Sequence, residues 1–196
     1  MKFSQSIRVR GTMILVKIHT MKIPTETTAG LSARIPHTTD FVVFLDYDNI
    51  TDERLQDELT YLQELFRLGD FYIFATNEFG RHAICIDRLA LRDAMNVLED
   101  STCDWMFKKG VGINEYRTWI LRAIGKGERP KPKYQYTVES PYNGQRIQSQ
   151  AHGEFLQRHY QAPIRLMNPD GNDELEIQGY KTSSKTSMKD VEKKNE

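Results

Sequence analysis

The sequence has few cysteines and no long apolar run. Cys85 and Cys103 are its two cysteines among 196 residues, and their spacing fits neither a disulfide scaffold nor a zinc site. No apolar segment approaches the ~20 residues that a membrane helix needs. Lys17 interrupts the apolar run that begins at Met13, so a signal peptide is not expected. We therefore expect an intracellular, cytoplasmic protein in a reducing compartment, with no membrane partner.

The sequence also has no net charge, since 27 basic residues balance 27 acidic ones. The charges are unevenly distributed along the chain. Residues 41–104 contain 14 acidic and 5 basic residues, a net charge of −9, whereas residues 105–133 contain 2 acidic and 8 basic residues, a net charge of +6. Such a division is typical either of an acidic metal site that faces a basic phosphate-binding surface or of two separate solvated faces.

Hydrophobic periodicity predicts an alternation of strands and helices from residue 41 onward. Leucines at helical spacing follow Thr51, a residue type that commonly caps a helix, and a glycine-containing turn joins two apolar runs into a hairpin. The predicted strands cover residues 41–46, 71–76, 82–86, 116–122 and 133–138, and the predicted helices cover residues 51–68 and 90–99. The order β-α-β-β-α-β predicts an α+β fold of the ferredoxin-like or RNA-recognition-motif-like type. Its antiparallel sheet would carry helices on one face and leave the other face free.

The two ends of the chain are expected to lie outside this core. Residues 1–40 form an N-terminal extension with one possible strand at residues 14–19 and a loop over residues 20–39. Residues 41–165 form the core, in which a short helix at residues 151–160 carries His152 and His159 in solvated or capping roles. Residues 166–196 are polar and are predicted to be a disordered tail.

Two carboxylates end the first predicted strand of the core. Asp46 and Asp48 are separated by one residue, and alternate side chains of a strand project from the same face. Two neighbouring carboxylates repel each other unless a positive group lies between them. Oxygen ligands suit Mg²⁺ or Mn²⁺. The pair predicts a divalent metal site, although Asp followed by Asn49 is also typical of an ordinary turn.

Four segments in order resemble the motifs of the archaeo-eukaryotic primase superfamily, which includes the primase-polymerases. The segment Asp46-Tyr47-Asp48 resembles its first motif, Gly80-Arg81-His82 its second and Cys103-Asp104 its third. The basic segment that runs from Trp119 through Arg122 to Lys126 resembles the strand and loop that follow the third motif. The similarity covers roughly residues 41–138.

The resemblance implies an activity and a role for each matched residue. Asp46, Asp48 and Asp104 would be catalytic and would bind Mg²⁺ or Mn²⁺, with Asp87 competing as the third carboxylate. The nucleotide would be bound by His82, Arg81, Arg122 and Lys126. The implied function is metal-dependent primer synthesis or polymerisation from nucleoside triphosphates on a single-stranded DNA or RNA template, in replication or repair, with a possible replication partner protein. A minimal or inactive relative is equally compatible with the resemblance.

Two other functions are compatible with parts of the sequence. The segment from Leu45 to Asn49 also resembles the first strand of NYN/PIN-type metal-dependent ribonucleases, for which Asp87 and Asp93 could supply further acids, but that fold has a parallel sheet. A non-catalytic sheet could instead bind single strands through aromatic residues such as those of residues 71–74. Three other aromatic residues are predicted to lie in the core, namely Trp105, Phe107 and Trp119.

Overall fold

The structure, a computed structural model, describes residues 2–9, 12–19, 26–113, 119–125, 129–170 and 177–182. Side chains are described for residues 29–110, 119–125 and 129–170. Residues 28–180 form one compact unit, and residues 1–27 and 181–196 are assigned to a second. In the described part of the chain, none of the helices combines the length and the apolar character that a membrane span requires.

Eleven strands and four helices occupy the described residues. In chain order they are β1 Lys2–Val9, β2 Thr12–His19, β3 Glu26–Ser32, β4 Asp40–Tyr47, α1 Asp52–Phe66, β5 Phe71–Ala75, β6 Arg81–Ala90, α2 Leu91–Asp100, α3 Trp105–Ile113, β7 Ile120–Arg122, β8 Lys133–Val138, β9 Gln148–Ser149, α4 Gln150–Tyr160, β10 Pro169–Asp170 and β11 Ile177–Thr182. The α+β class predicted from the sequence is confirmed.

The main sheet is built around β6. This strand pairs antiparallel with β4 along its whole length and with β5 on its other side, and β5 in turn pairs antiparallel with β8. The short strands β9 and β10 extend the sheet beyond the end of β5, with β10 parallel to β9. The β4–β6 register places Asp46 opposite His82, and the β5–β6 register places Phe74 opposite the same histidine. Residues that lie opposite each other share a face, so these three side chains lie on one side of the sheet.

Helices lie on both faces of this sheet. On one face, the Tyr47 hydroxyl donates a hydrogen bond of 2.8 Å to Glu58 of α1. On the other face, His152 of α4 packs edge-on against Phe44, and Tyr160 of α4 lies 4.9 Å from the ring of Phe74. The prediction of helices on one face alone is therefore wrong, because α4 buries an aromatic stripe against the second face.

The packing of α1 explains why its sequence is helical. Thr51 accepts a hydrogen bond from the Arg54 amide at the N-terminus, as its predicted capping role requires. Leu55, Leu59 and Leu62 are fully buried on one face of the helix. At the other end the chain takes a left-handed conformation at residue 67, with φ of 51°, and leaves the helix. The predicted helix is confirmed, and its apolar stripe is confirmed at these three leucines, whereas Leu65, which was expected on the same stripe, is 49% exposed.

Five segments differ from the sequence-based expectations. The helix α3 was not predicted. The strand predicted over residues 116–122 is observed only as β7, which pairs with β3, and residues 116–118 lie outside the described residues. The loop predicted over residues 20–39 contains β3, and the predicted tail contains β10 and β11. Two of these strands are too short for a periodic pattern, since β7 has three residues and β10 has two. The possible strand at residues 14–19 lies within β2, which pairs with β1.

Candidate functional site

Several strands of the larger unit end around one cavity of about 260 Å³. The cavity lies where β4 and β5 end and β6 begins, next to the start of α3 and to β7. Its lining residues are Asp46, Asp48, Thr76, Asn77, His82, Asp104, Ile120, Leu121, Arg122 and Arg129. We call it the strand-end cavity. Five of the predicted site residues line it, and they come from segments spread over 77 positions of the sequence (46 to 122).

The end of β4 positions the first two carboxylates. Asp46 is half-buried and Asp48 is exposed, and both line the strand-end cavity. Tyr47, between them, points to the opposite face, where it is buried against α1. Asn49 then adopts a left-handed conformation, with φ of 63°, and turns the chain toward α1. The strand therefore delivers the two carboxylates to one side, as the alternation of the sequence predicts.

A backbone hydrogen bond holds Asp104, which carries the third carboxylate, next to Asp46. The Asp104 amide donates a hydrogen bond of 2.7 Å to the Asp46 carbonyl. One carboxylate oxygen of Asp104 accepts a hydrogen bond of 2.9 Å from the Met106 amide, so the residue also caps α3. The preceding loop is held by Glu58, which accepts a hydrogen bond of 2.6 Å from the Thr102 amide. Asp104 is thus a helix-capping residue that also faces the cavity.

Asp87 lies elsewhere and does not line the strand-end cavity. It is buried, with 1% of its surface exposed, near the other end of β6, where it pairs with Gln148 of β9. Its carboxylate accepts a hydrogen bond of 2.7 Å from the Gly69 amide. Burial raises the pKa of this carboxyl group. Of the two candidates for the third carboxylate, the structure brings Asp104, and not Asp87, to the Asp46–Asp48 pair.

His82 faces Asp46 across the β4–β6 ladder. Its Nε2 lies 3.5 Å from an Asp46 carboxylate oxygen, and its side chain is 6% exposed. Burial, followed by the positive charge of Arg122, lowers the pKa of His82 to about 3. The imidazole is therefore neutral near pH 7. One of its nitrogens carries a hydrogen and donates, and the other accepts.

The three carboxylates of the strand-end cavity repel one another. Burial is the largest cause that raises the pKa of Asp46 to about 6, and the negative charges of Asp48 and Asp104 raise it further. Arg122 and Arg129 lower it, without offsetting the other three causes. Ionised Asp46 is therefore electrostatically unfavourable in this cavity, and a proton or an added cation would stabilise the site.

Two arginines, Arg122 and Arg129, also line the strand-end cavity. Arg122 extends from β7, and its Nη1 donates hydrogen bonds to the carbonyls of Ile124, at 3.0 Å, and of Pro130, at 2.6 Å. These bonds tie the loop that carries Arg129 to the strand. Lys126, the other basic residue predicted here, lies outside the described residues.

Arg81 is the predicted nucleotide-binding residue that the structure places away from the cavity. It precedes His82 on β6, so its side chain projects from the opposite face. There its Nε donates a hydrogen bond of 2.9 Å to Asp52 of α1. Its Nη1 donates to carbonyls of the turn between β5 and β6. Arg81 thus fastens that turn to α1.

Sequence reasoning missed Thr76 and Asn77, which both line the cavity. The Asn77 side chain accepts hydrogen bonds from the amides of Phe79 and Gly80, at 2.8 and 2.7 Å, and so shapes the β5–β6 turn. A Cβ atom added at Gly80 would lie 2.3 Å from Thr76 Oγ1, which shows how closely this turn is packed. Only their position could have indicated these two polar residues, because they follow the strand that pairs with the strand of His82.

The fit of a metal ion rests on the chemistry of the donors. Three carboxylates line one cavity, and carboxylate oxygens are the ligands preferred by Mg²⁺ and Mn²⁺. Over the described ranges, however, no group of three or more His, Cys, Asp or Glu side chains is arranged to hold a metal ion. The cavity therefore has suitable donors, but in an open arrangement.

Exposure distinguishes the aromatic residues considered as base-stacking candidates. The strand residues Phe71, Tyr72 and Phe74 are at most 1% exposed, so their rings are not accessible to a bound strand. Trp119 is buried, as predicted, and its indole N–H donates a hydrogen bond of 2.8 Å to a backbone carbonyl of β4. Trp105 is 65% exposed, and its predicted place in the core is wrong.

The two histidines of α4 have structural roles. The ring of His152 is buried, and its two nitrogens contact Ser149 Oγ and the Ser32 carbonyl, the latter at 2.8 Å. The ring of His159 is stacked on Phe155 at 4.8 Å. Neither residue lines the strand-end cavity.

The chain was compared with protein-family models, with curated proteins and with solved structures, and no match was found in any of the three comparisons.

Proposed function

We propose that this chain is a metal-dependent nucleotidyltransferase of the primase-polymerase type. It would join nucleoside triphosphates on a single-stranded DNA or RNA template. The observation that carries the proposal is the convergence of Asp46, Asp48, Asp104, His82 and Arg122 on the strand-end cavity. The succession β4-α1-β5-β6-α2, with antiparallel pairing of β6 to both other strands, supports an RNA-recognition-motif-like core.

The acidic side of the cavity would hold the divalent ion. Asp46, Asp48 and Asp104 would be its ligands, since carboxylate oxygens suit Mg²⁺ and Mn²⁺. A bound Mg²⁺ or Mn²⁺ ion would polarise the phosphoryl group and lower the pKa of the attacking hydroxyl. Burial and the charges of Asp48 and Asp104 raise the pKa of Asp46, so a bound cation would stabilise its ionised form.

The other side of the cavity would bind the triphosphate. Arg122 and Arg129 would supply positive charge to the phosphate oxygens, although Arg122 Nη1 already donates to two backbone carbonyls. His82 is neutral near pH 7, so it would donate one N–H to a phosphate oxygen without adding charge. Carboxylates and guanidinium groups in one cavity suit a metal–triphosphate complex, which carries both a cation and phosphate oxygens.

The fold and the buried aromatics disfavour the two alternatives. An NYN/PIN-type ribonuclease requires a parallel sheet, whereas β4, β5, β6 and β8 pair antiparallel. Its further acid, Asp87, lies away from the Asp46–Asp48 pair. A binding module that stacks bases on the sheet would need accessible rings on β5, and those rings are buried.

Nucleotide binding with and without metal tests the proposal. The chain should bind a nucleoside triphosphate in Mn²⁺ or Mg²⁺, measured by calorimetry, and should extend a primer or start one on a single-stranded template. The double variant Asp46→Asn, Asp48→Asn should lose metal-dependent nucleotide binding. The matched control is Asp57→Asn, since Asp57 is an exposed carboxylate of α1 that does not line the cavity. The proposal fails if the wild-type chain binds no nucleotide with metal present, and cleavage of single-stranded RNA would favour the nuclease.

A further inference from the structure

A large aromatic side chain lies exposed next to the strand-end cavity. Trp105 is 65% exposed, although tryptophan is usually well buried, and it is the first residue of α3. It directly follows Asp104, whose carboxylate lines the cavity, and consecutive Cα atoms are only about 3.8 Å apart. Its neighbour Met106 is also exposed, at 55%. An accessible apolar surface therefore adjoins the candidate catalytic carboxylates.

Two lysines follow this tryptophan and differ in their contacts. Lys108 is half-buried, and its ammonium group donates hydrogen bonds to the carbonyls of Glu99, at 3.1 Å, and of Ser101, so it secures the α2–α3 connection. Lys109 is exposed, and its Nζ lies 5.6 Å from the centre of the Trp105 ring. A positive charge is thus held beside the exposed indole, within the stretch 105–133 that carries 8 basic and 2 acidic residues.

We propose that Trp105 and Lys109, together the α3 platform, bind one nucleotide of a single-stranded nucleic acid beside the cavity. The indole would stack on the base, and the ammonium group would contact the adjacent phosphate. The inference rests on the proposed function and specifies where the template strand lies. A paired aromatic and cationic side chain favours this occupant over an apolar protein surface, because a nucleotide offers both a π-face and a negative charge.

The chain reports on this contact through its own fluorescence. It contains two tryptophans, and Trp119 is buried with its N–H bonded to a backbone carbonyl. Quenching of tryptophan emission by added oligodeoxythymidylate would therefore report mainly on Trp105. The titration is carried out with a chelator present, so that it does not depend on metal or nucleotide binding in the cavity.

Affinity measurements on three variants test the role of the indole. A labelled oligodeoxythymidylate should bind Trp105→Ala about 5- to 160-fold more weakly than the wild-type chain, the range expected for loss of one base–aromatic stack. Trp105→Phe should restore most of the affinity, since it keeps an aromatic face. Tyr61→Ala is the matched control, because Tyr61 is an aromatic residue of α1 that is 54% exposed and does not line the cavity. Its affinity should equal that of the wild-type chain.

The outcomes separate this inference from the proposed function. Equal affinities for Trp105→Ala and Tyr61→Ala would overturn the inference, as would a wild-type chain that binds no oligonucleotide, in which case a protein would become the occupant to test. Oligonucleotide binding that depends on Trp105, with no metal-dependent nucleotide binding, would support the α3 platform and refute nucleotidyl transfer. Metal-dependent nucleotide binding, together with oligonucleotide binding that does not depend on Trp105, would refute the α3 platform alone.

Discussion

Replacement of Asp46 with asparagine should stabilise the folded chain near neutral pH while removing a ligand from the proposed metal site. The pKa of Asp46 is raised from 3.8 to about 6, first by burial and then by the charges of Asp48 and Asp104. A raised pKa means that the folded state favours the protonated carboxyl group. Its stabilising contribution is present below about pH 4 and is lost as the pH rises through about 6. Asparagine acquires no negative charge as the pH rises, so the variant does not incur this cost.

The expected size of the effect follows from the pKa. The difference between 3.8 and about 6 corresponds to about 3 kcal/mol, at about 1.4 kcal/mol per pH unit. The Asp46 side chain is 30% exposed, so solvent screening reduces the estimate to about 2 kcal/mol. For a chain of this length, 2 kcal/mol raises Tm by about 4–8 °C.

Urea unfolding of both proteins in a chelator, at about pH 8 and at about pH 4, measures the difference directly. We expect Asp46→Asn to be more stable than the wild-type chain at the higher pH and to approach it at the lower pH. Added Mn²⁺ should narrow the gap by stabilising only the wild-type chain. An Asp46→Asn variant that is no more stable than wild type at about pH 8 would refute the electrostatic account of the site.

Two further predictions concern the histidine and the core. Because burial and Arg122 lower the pKa of His82 to about 3, its imidazole should stay neutral between about pH 5 and 8; ring ¹⁵N shifts of an imidazolium, appearing near the ordinary histidine pKa in an NMR titration, would contradict this environment. Leu59→Ala should lower the free energy of unfolding by about 2–5 kcal/mol because Leu59 is fully buried, whereas Leu65→Ala should change it by less than about 1 kcal/mol because Leu65 is 49% exposed; similar losses in urea unfolding would show that α1 packs differently.

Local patterns were sufficient for the first half of the core. The apolar run before Asp46 and the leucine stripe after Thr51 predicted β4 and α1, because period-2 and period-3.6 patterns arise directly from one-sided burial. The strands β5 and β6 and the helix α2 followed from the same signals. The proximity of Asp46 and Asp48 needed only the alternation of side chains along a strand.

Other features depended on contacts between distant segments. The bounds of β8 match the predicted strand at residues 133–138, but its pairing with the outer edge of β5, and the pairing of β7 with β3, did not follow from the sequence. Sequence periodicity specifies which residues are buried but does not specify which strand will be the neighbour. The position of α4 on the second sheet face could not be predicted for the same reason, because the aromatic residues of a helix do not indicate which surface they will contact.

The carboxylates of Asp46, Asp48 and Asp104 distinguish what the sequence alone predicts from what depends on the tertiary structure. The sequence by itself determined that Asp46 and Asp48 project together at the end of a buried strand, since this follows from backbone geometry alone. Only the tertiary structure decided which third carboxylate joins them. The Asp104 amide hydrogen-bonds to the Asp46 carbonyl, whereas Asp87 is buried near the other end of β6. The physical reason is that an electrostatic site depends on distances through space, and these are fixed by long-range packing rather than by spacing along the chain.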